Sequence, residues 1–449
     1  MKLTPVSIQQ RVDDISKQFA GTGWKRLPQE LVDQILGYLL DDLNALAACS
    51  LTCKPLFGAT RPLIHQRVHL VSRPTWRLYP KPKEPLFSLR KRGPEAFERL
   101  IDADRLGILR YTRYLTINMG DGTFNPENMQ KYHPYLRSIT NLQSLTLVPF
   151  RIHPFIPVFN ECFGTFTSAL RLLDIRNAYT TGRQLPYIIS QFPLLEDLTI
   201  MAPIEDDAQP GHRHLVPAIT HSPPLRGKLI LGQVYSSELS DGLVALPGGL
   251  NCRSLEFFRC GDSQVVLEAC GHSVTSISYM WCVWNSDGEQ ILLFAYISQC
   301  NCWTLVTPLD LKRSAVLERF EFTVEMYSIS RVHEWIQQTL QTITSPLFSE
   351  LVIWILHVQY PWSLEASMSA ESWKAVDLWL NVLAERNPSF GVVFRGDFGG
   401  DFWGDSSGGF DAVRQHIEGI CLPLASSKNL VKFEFVSNVE NRFWKLGVP

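Results

Sequence analysis

Cysteine is scarce: ten among 449 residues are too few for a secreted domain stapled by disulfides. Charge of either sign is thin as well, 19% of the chain against about 25% in ordinary globular proteins. The 42 basic and 44 acidic side chains leave a formal charge of -2, so bulk electrostatics gives no reason to expect nucleic acid as a partner. Long apolar runs are missing. ILLFAYI and LVIWIL are strand-sized, far short of the roughly 20 residues that cross a bilayer. The opening MKLTPVSIQQRVDD holds no apolar core of signal-peptide length. The expectation is a protein of the cytoplasm or nucleus with no membrane partner. What is present is a 45% apolar fraction, enough for a large core.

Catalytic motifs are equally sparse. There is no G-x-S-x-G elbow for a nucleophilic serine and no glycine loop ending in Gly-Lys-Ser/Thr for phosphates. Cys49 and Cys53 read as small buried apolar groups, and Cys300-Asn301-Cys302 lacks a second ligand pair for zinc. Cys252, Cys260, Cys270 and His272 either converge in space or are ordinary buried strand cysteines beside a histidine. His212-Arg213-His214, after Glu205-Asp206-Asp207, reads as a titrating or metal-binding loop or simply as surface. Asp397, Asp401 and Asp405 recur in GDFGGDFWGDSSGG without the D-x-D-x-D-G pattern of a calcium loop. No catalytic residue, metal or cofactor is assigned.

The sharpest local signal is KRLPQELVDQILGYLLDDLNALAACSLTCKPLFGATRPLIHQRVHL. Pro28 suits a helix start, where its missing N–H would be unpaired anyway. Leu31, Ile35 and Leu39 recur every fourth residue with Val32 and Leu36 beside them. Asp41-Asp42 ends that stripe and caps a second helix bearing Leu43, Leu46, Ala47 and Leu51. Thr52 is placed to cap a third, with Pro55 in its first turn and Leu56, Phe57 and Leu63 apolar. Three short helices barely cover their own apolar surface. The surplus leucines therefore face another protein or pack on the rest of the chain.

Leu27-Pro28-Gln29-Glu30-Leu31, Ile35-Leu36, Tyr38-Leu39, Asp42-Leu43 and Leu46-Ala47-Ala48-Cys49-Ser50 together resemble an F-box. Such modules dock on the small Skp-type adaptor of cullin-RING ubiquitin ligases. The resemblance implies Leu27, Pro28, Leu31, Ile35, Leu36, Leu39, Leu43 and Leu46 as adaptor-binding residues. The family often carries a tryptophan after the Cys-Lys step; here Cys53-Lys54-Pro55-Leu56-Phe57 offers a smaller aromatic.

Beyond a polar leader (1–23) and the F-box-like segment (24–70), residues 71–109 read as a linker and cap. They hold Arg73-Pro74, Tyr79-Pro80-Lys81-Pro82-Lys83 and Leu89-Arg90-Lys91-Arg92-Gly93-Pro94. This basic stretch is a solvated linker or an address or phosphate patch; no stacking-aromatic motif accompanies it.

From 110 to 449 a six-residue pattern, apolar-x-x-apolar-x-apolar, returns. Clear copies are Leu142-Leu145-Leu147, Leu170-Leu173-Ile175 and Leu195-Leu198-Ile200, starting 28 and 25 residues apart. Weaker ones are Thr112-Leu115-Ile117, Cys252-Leu255-Phe257, Val274-Ile277-Tyr279, Leu317-Phe320-Phe322, Phe348-Leu351-Ile353 and Leu430-Phe433-Phe435. LRGKLIL at 225–231 is slipped by one position. Between them lie helical spacings: Leu185, Ile188 and Ile189; Val265, Val266 and Ala269; Val332, Trp335, Ile336 and Leu340; Val376, Trp379, Leu380 and Leu383. One strand and one returning helix per unit cannot bury an apolar face alone, so neighbours must stack.

This periodicity resembles the leucine-rich-repeat family, which implies an α/β horseshoe solenoid. Pro149-Phe150 and Met201-Ala202-Pro203 stand where that family favours Asn or Cys, so the usual ladder is poor and the curvature irregular. Phe192-Pro193-Leu194-Leu195-Glu196-Asp197-Leu198, Pro224-Leu225-Arg226-Gly227 and Leu267-Glu268-Ala269-Cys270 resemble fungal F-box proteins with degenerate leucine-rich repeats. The resemblance implies a non-catalytic substrate receptor of a cullin-RING ligase, with an adaptor and a protein substrate as partners. Phe398, Phe402 and Trp403 in the glycine-rich loop, and Trp281 with Trp284, are the candidate substrate-binding aromatics, unless the loop folds down as a lid. A non-ligase scaffold is the alternative, and a hydrolase using the 397–405 carboxylates a remoter one.

Overall fold

A computed structural model describes residues 29–40, 42–71, 101, 104–105, 107–118, 133–148, 150–151, 164, 168–176, 178–179, 184–201, 219–232, 237–258, 263–281, 308–325, 332–356, 368–396 and 406–435. The chain is α/β and forms two compact units, residues 1–149 with 157–170 and residues 150–156 with 171–449.

The first unit opens with α1 (Gln29–Tyr38), α2 (Leu43–Ser50) and α3 (Lys54–Ile64). Asp42 caps α2, its Oδ1 accepting the Ala45 N–H at 2.9 Å. Thr52 does not cap α3. Its hydroxyl turns back to donate to Cys49 O at 2.8 Å, and Cys53 holds the cap position without a side-chain bond. Leu36, Leu46 and Ile64 form the buried centre, with Val32, Leu39, Cys49, Leu56, Ala59 and Leu63 packed around them. Three parallel strands follow: β1 (Arg67–Val71), β2 (Tyr114–Asn118) and β3 (Ser144–Val148). The strands therefore begin at Arg67, inside the stretch read as the end of the helical module and well before residue 110.

The second unit contains a short parallel pair, β4 (Phe150–Arg151) with β6 (Ala178–Tyr179). Its main sheet has nine parallel strands. In order these are β5 (Leu172–Arg176), β7 (Asp197–Met201), β8 (Lys228–Gly232), β9 (Ser254–Phe258) and β10 (Ser276–Trp281). β11 (Arg319–Glu325), β12 (Glu350–Leu356), β13 (Gly391–Gly396) and β14 (Val431–Phe435) complete it. Between strands run α4 (Gln184–Ser190), α5 (Ser237–Val244), α6 (Ser263–Cys270), α7 (Val332–Gln341), α8 (Ala370–Arg386), α9 (Ser406–His416) and α10 (Pro423–Ser427).

Strict parallel register puts like residues in rows. Leu173, Leu198, Leu229, Leu255, Ile277, Phe320, Leu351 and Val392 form one, and Ile175, Ile200, Leu231, Phe257, Tyr279, Phe322, Ile353 and Phe394 the next. All sixteen are buried. Helices cover this face. Trp335 of α7 lies 5.1 Å from Tyr279 and about equally far from Phe320 and Phe322, at 6.4 and 6.5 Å between ring centres.

The strands start in a common way. One carbonyl just before or at the start of a strand accepts two successive N–H groups from the next: Arg171 from Glu196 and Asp197, Arg253 from Thr275 and Ser276, Thr275 from Glu318 and Arg319. Hydroxyl and amide side chains reinforce that edge. Ser273 donates to Cys252 O, Ser345 to Ala315 O, and Asn387 to Phe348 O. These bonds satisfy buried backbone at the turns before the strands.

Between the copies that begin at Phe348 and Leu430 lies a further strand, β13, whose Val392 and Phe394 stand in the two rows. Two sequence expectations need correction. In β14 the register pairs Phe433 with Phe394 and Val431 with Val392, two residues away from the reading that began at Leu430. In α6 the inward residues are Val266, Leu267 and Cys270, while Val265 is exposed.

Candidate docking surface

Helix α1 carries two apolar stripes. Val32, Leu36 and Leu39 turn into the three-helix core. Leu31, Ile35 and Tyr38, each one position earlier, are 45%, 52% and 82% exposed. One residue is about 100° of helix rotation, so the two stripes lie on adjacent faces. Leu51, just after α2, and Phe57 on α3 are also more than half exposed. Leu36 and Leu46, expected among the docking residues, are instead 2% and 0% exposed and hold the helices together. Leu39 is half-buried against them. Leu43 begins α2; Leu27 and Pro28 lie outside the described residues. Tyr38, Leu51 and Phe57 were missed as surface residues. The available signal was spacing: Tyr38 is seven positions after Leu31.

The candidate substrate aromatics Phe398, Phe402, Trp403 and Trp284 lie outside the described residues, as do Asp397, Asp401, Asp405, Cys260, Cys300, Cys302, His212 and His214. Trp281 ends β10, in register with Val324.

The sheet face of the second unit opposite the two apolar rows carries ion pairs the sequence reading did not isolate. Lys228 meets Glu256 at 2.6 Å, and Arg319 bridges Glu321 and Glu350 at 2.9 and 2.8 Å. Arg395 binds Glu434 at 2.6 Å while its guanidinium lies 5.6 Å from the Trp354 ring centre. Arg319 with Glu350 and Arg395 with Glu434 share a register position. Lys228 reaches Glu256 diagonally from the position opposite Ser254, and Glu321 lies two residues along the same strand as Arg319.

Cys252 and Cys270 are buried free thiols in mutual contact. The hydrogen bond between them, followed by burial, pushes the Cys252 thiol up, and the same bond draws Cys270 down. His272 does not join them; its Nε2 pairs with Asn251 Oδ1 at 2.8 Å. Among the described residues no three His, Cys, Asp or Glu side chains converge as a metal site would require. Among them, too, no helix is long and apolar enough to cross a membrane.

No protein-family model matches the chain, and no curated protein matches it.

Proposed function

We propose that this chain is a substrate-receptor subunit of a cullin-RING ubiquitin ligase. Its F-box-like helices dock on a Skp-type adaptor, and its leucine-rich-repeat-like strands and helices hold a protein substrate. The observation that carries the reading is the outward stripe of Leu31, Ile35 and Tyr38 beside a core already filled by Leu36, Leu46 and Ile64. Each large apolar side chain left in water forgoes about 25 cal/mol per Å² of burial, a deficit that a partner's groove removes. The same stripe lies within the succession that resembles an F-box.

The mechanism is tethering. With the adaptor on one end and substrate on the other, a substrate lysine stays near the ubiquitin-charged enzyme. A bimolecular encounter becomes nearly intramolecular. Bond making belongs to other subunits. Titration of the purified chain with a Skp-type adaptor tests the docking step. Leu31→Glu with Ile35→Glu is expected to weaken binding by about a hundredfold or more; unchanged affinity rejects the assignment. Co-purification of the cullin separates a ligase subunit from a scaffold that uses the adaptor otherwise.

A further inference from the structure

The first unit has a strongly one-signed edge. Its N-terminal strand ends are laid side by side by the backbone: Gln66 O accepts Arg113 and Tyr114 N–H at 2.8 and 2.9 Å, and Arg113 O accepts Gln143 and Ser144 N–H at the same distances. The described residues in 61–67, 104–113 and 133–143, which lead into β1, β2 and β3, contain six arginines: Arg61, Arg67, Arg105, Arg110, Arg113 and Arg137. Their one acidic residue is Asp104, whose Oδ1 accepts the Ser138 hydroxyl at 2.7 Å. All these arginines but Arg61 are exposed, and no ion pair with a described carboxylate engages Arg105, Arg113 or Arg137. Against a whole-chain charge of -2 this is a local excess. Two histidines beside it feel that field: burial and then Arg61 hold His65 below its ordinary value, and burial and then Arg67 do so for His69.

We infer that this arginine edge binds an acidic, Asp/Glu-rich segment of a protein partner. Guanidinium forks grip carboxylates in pairs, which a lysine patch does less well. The edge spans three strand ends spaced about 4.8 Å apart, the reach of about three extended residues at ~3.3 Å each. Spaced carboxylates suit a row of this kind, whereas one phosphate needs several donors aimed at a single point. Single-stranded RNA fits less well, because arginines already lie over two of the nearby rings. The Arg67 guanidinium lies 5.5 Å from the Tyr114 ring centre and that of Arg110 lies 4.6 Å from Tyr111. Base stacking needs such faces open. The inference does not depend on adaptor docking.

Fluorescence anisotropy on the full chain tests it, with a labelled Glu-rich hexapeptide as probe. Its Gln counterpart, a phosphoserine peptide and a short RNA serve as comparisons. The Glu peptide is expected to bind, to weaken as salt rises, and to lose about tenfold or more in Arg105→Gln/Arg113→Gln/Arg137→Gln. An Arg→Lys triple variant, which keeps the charge but not the fork, is expected to fall between, and it is the variant read if the Gln one unfolds. Absence of Glu-peptide binding overturns the inference, as does equal affinity in wild type and both variants. Tighter capture of the phosphopeptide or the RNA overturns it as well.

Discussion

Ile35 and Leu36 are consecutive in the chain, yet Ile35 is 52% exposed and Leu36 is 2% exposed. A turn of about 100° separates a residue facing solvent from one that closes the three-helix core. The two positions therefore separate the proposed docking from folding. Ile35→Glu is expected to leave the unfolding free energy within about 0.5 kcal/mol of wild type and to weaken adaptor binding by about tenfold or more. Leu36→Ala is expected to cost about 2–5 kcal/mol and to reduce adaptor binding only in proportion to unfolded chain. Urea titration and adaptor titration of both variants read the two effects apart.

Trp335 is the ring on which three strand residues meet. It touches Tyr279 from β10 and Phe320 and Phe322 from β11, so α7 fastens two neighbouring repeats. Truncation to Ala removes a large buried side chain and leaves a void that stiff aromatic neighbours fill poorly. The expected loss is about 3–5 kcal/mol, with Trp335→Phe retaining much of it. Chemical denaturation monitored by far-ultraviolet circular dichroism provides the measurement. A loss below about 1 kcal/mol would show that the site repacks.

The parallel α/β ladder was legible because burial repeats at period two in strands such as Leu198-Thr199-Ile200 and Leu255-Glu256-Phe257. What escaped was position rather than type. β13 reads Gly-Val-Val-Phe-Arg-Gly, with Val393 buried on the second face too, so no alternation marks its phase. β1 was hidden because it follows α3 by only a short turn and looks like the end of the helical module. The exposed stripe on α1 was half legible. Apolar residues at four-residue spacing mark a helix face, but spacing does not say which of two adjacent stripes turns inward. That depends on where Leu46 and Ile64 approach α1, a tertiary fact.

The one-residue slip in LRGKLIL has a local cause at Gly227. Its N–H donates to Glu196 O at 3.0 Å, and the following Lys228 N–H donates to Asp197 Oδ1 at 2.7 Å. A Cβ on Gly227 would stand 2.9 Å from Glu196 O and would run into the Asp197 carboxylate. Gly227→Ala must therefore displace Asp197 and open the Lys228 bond. A loss of about 2–3 kcal/mol in denaturant titration is expected. Asp197→Ala makes room and should partly relieve the substitution, so the double variant is expected to lose less than the sum of the singles.

Cys421 and Asp377 give the fold a dependence on alkaline pH. The Asp377 carboxylate, 2% exposed, accepts the Leu424 and Ala425 N–H groups at 2.9 Å each, and the Cys421 thiol donates to Met368 O at 3.1 Å. Burial, then the Asp377 charge, pushes the Cys421 thiol up to about 12 from an ordinary 9.0. An unfolded chain releases that proton near 9.0, and the folded chain holds it. The stabilisation is thus complete below pH 9 and fades as pH rises towards 12. Wild-type unfolding midpoints are expected to drop above pH 9 more steeply than those of Cys421→Ala, since alanine has no proton to lose. Parallel curves would mean that the thiol ionises alike in both states. Asp377→Asn sharpens the comparison. It keeps the shape but loses the charge and one acceptor, so about 2 kcal/mol of stability should go at neutral pH. With the carboxylate removed, the folded Cys421 thiol is expected to ionise at lower pH, so the alkaline decline should still begin near pH 9 but level off earlier and be smaller in total.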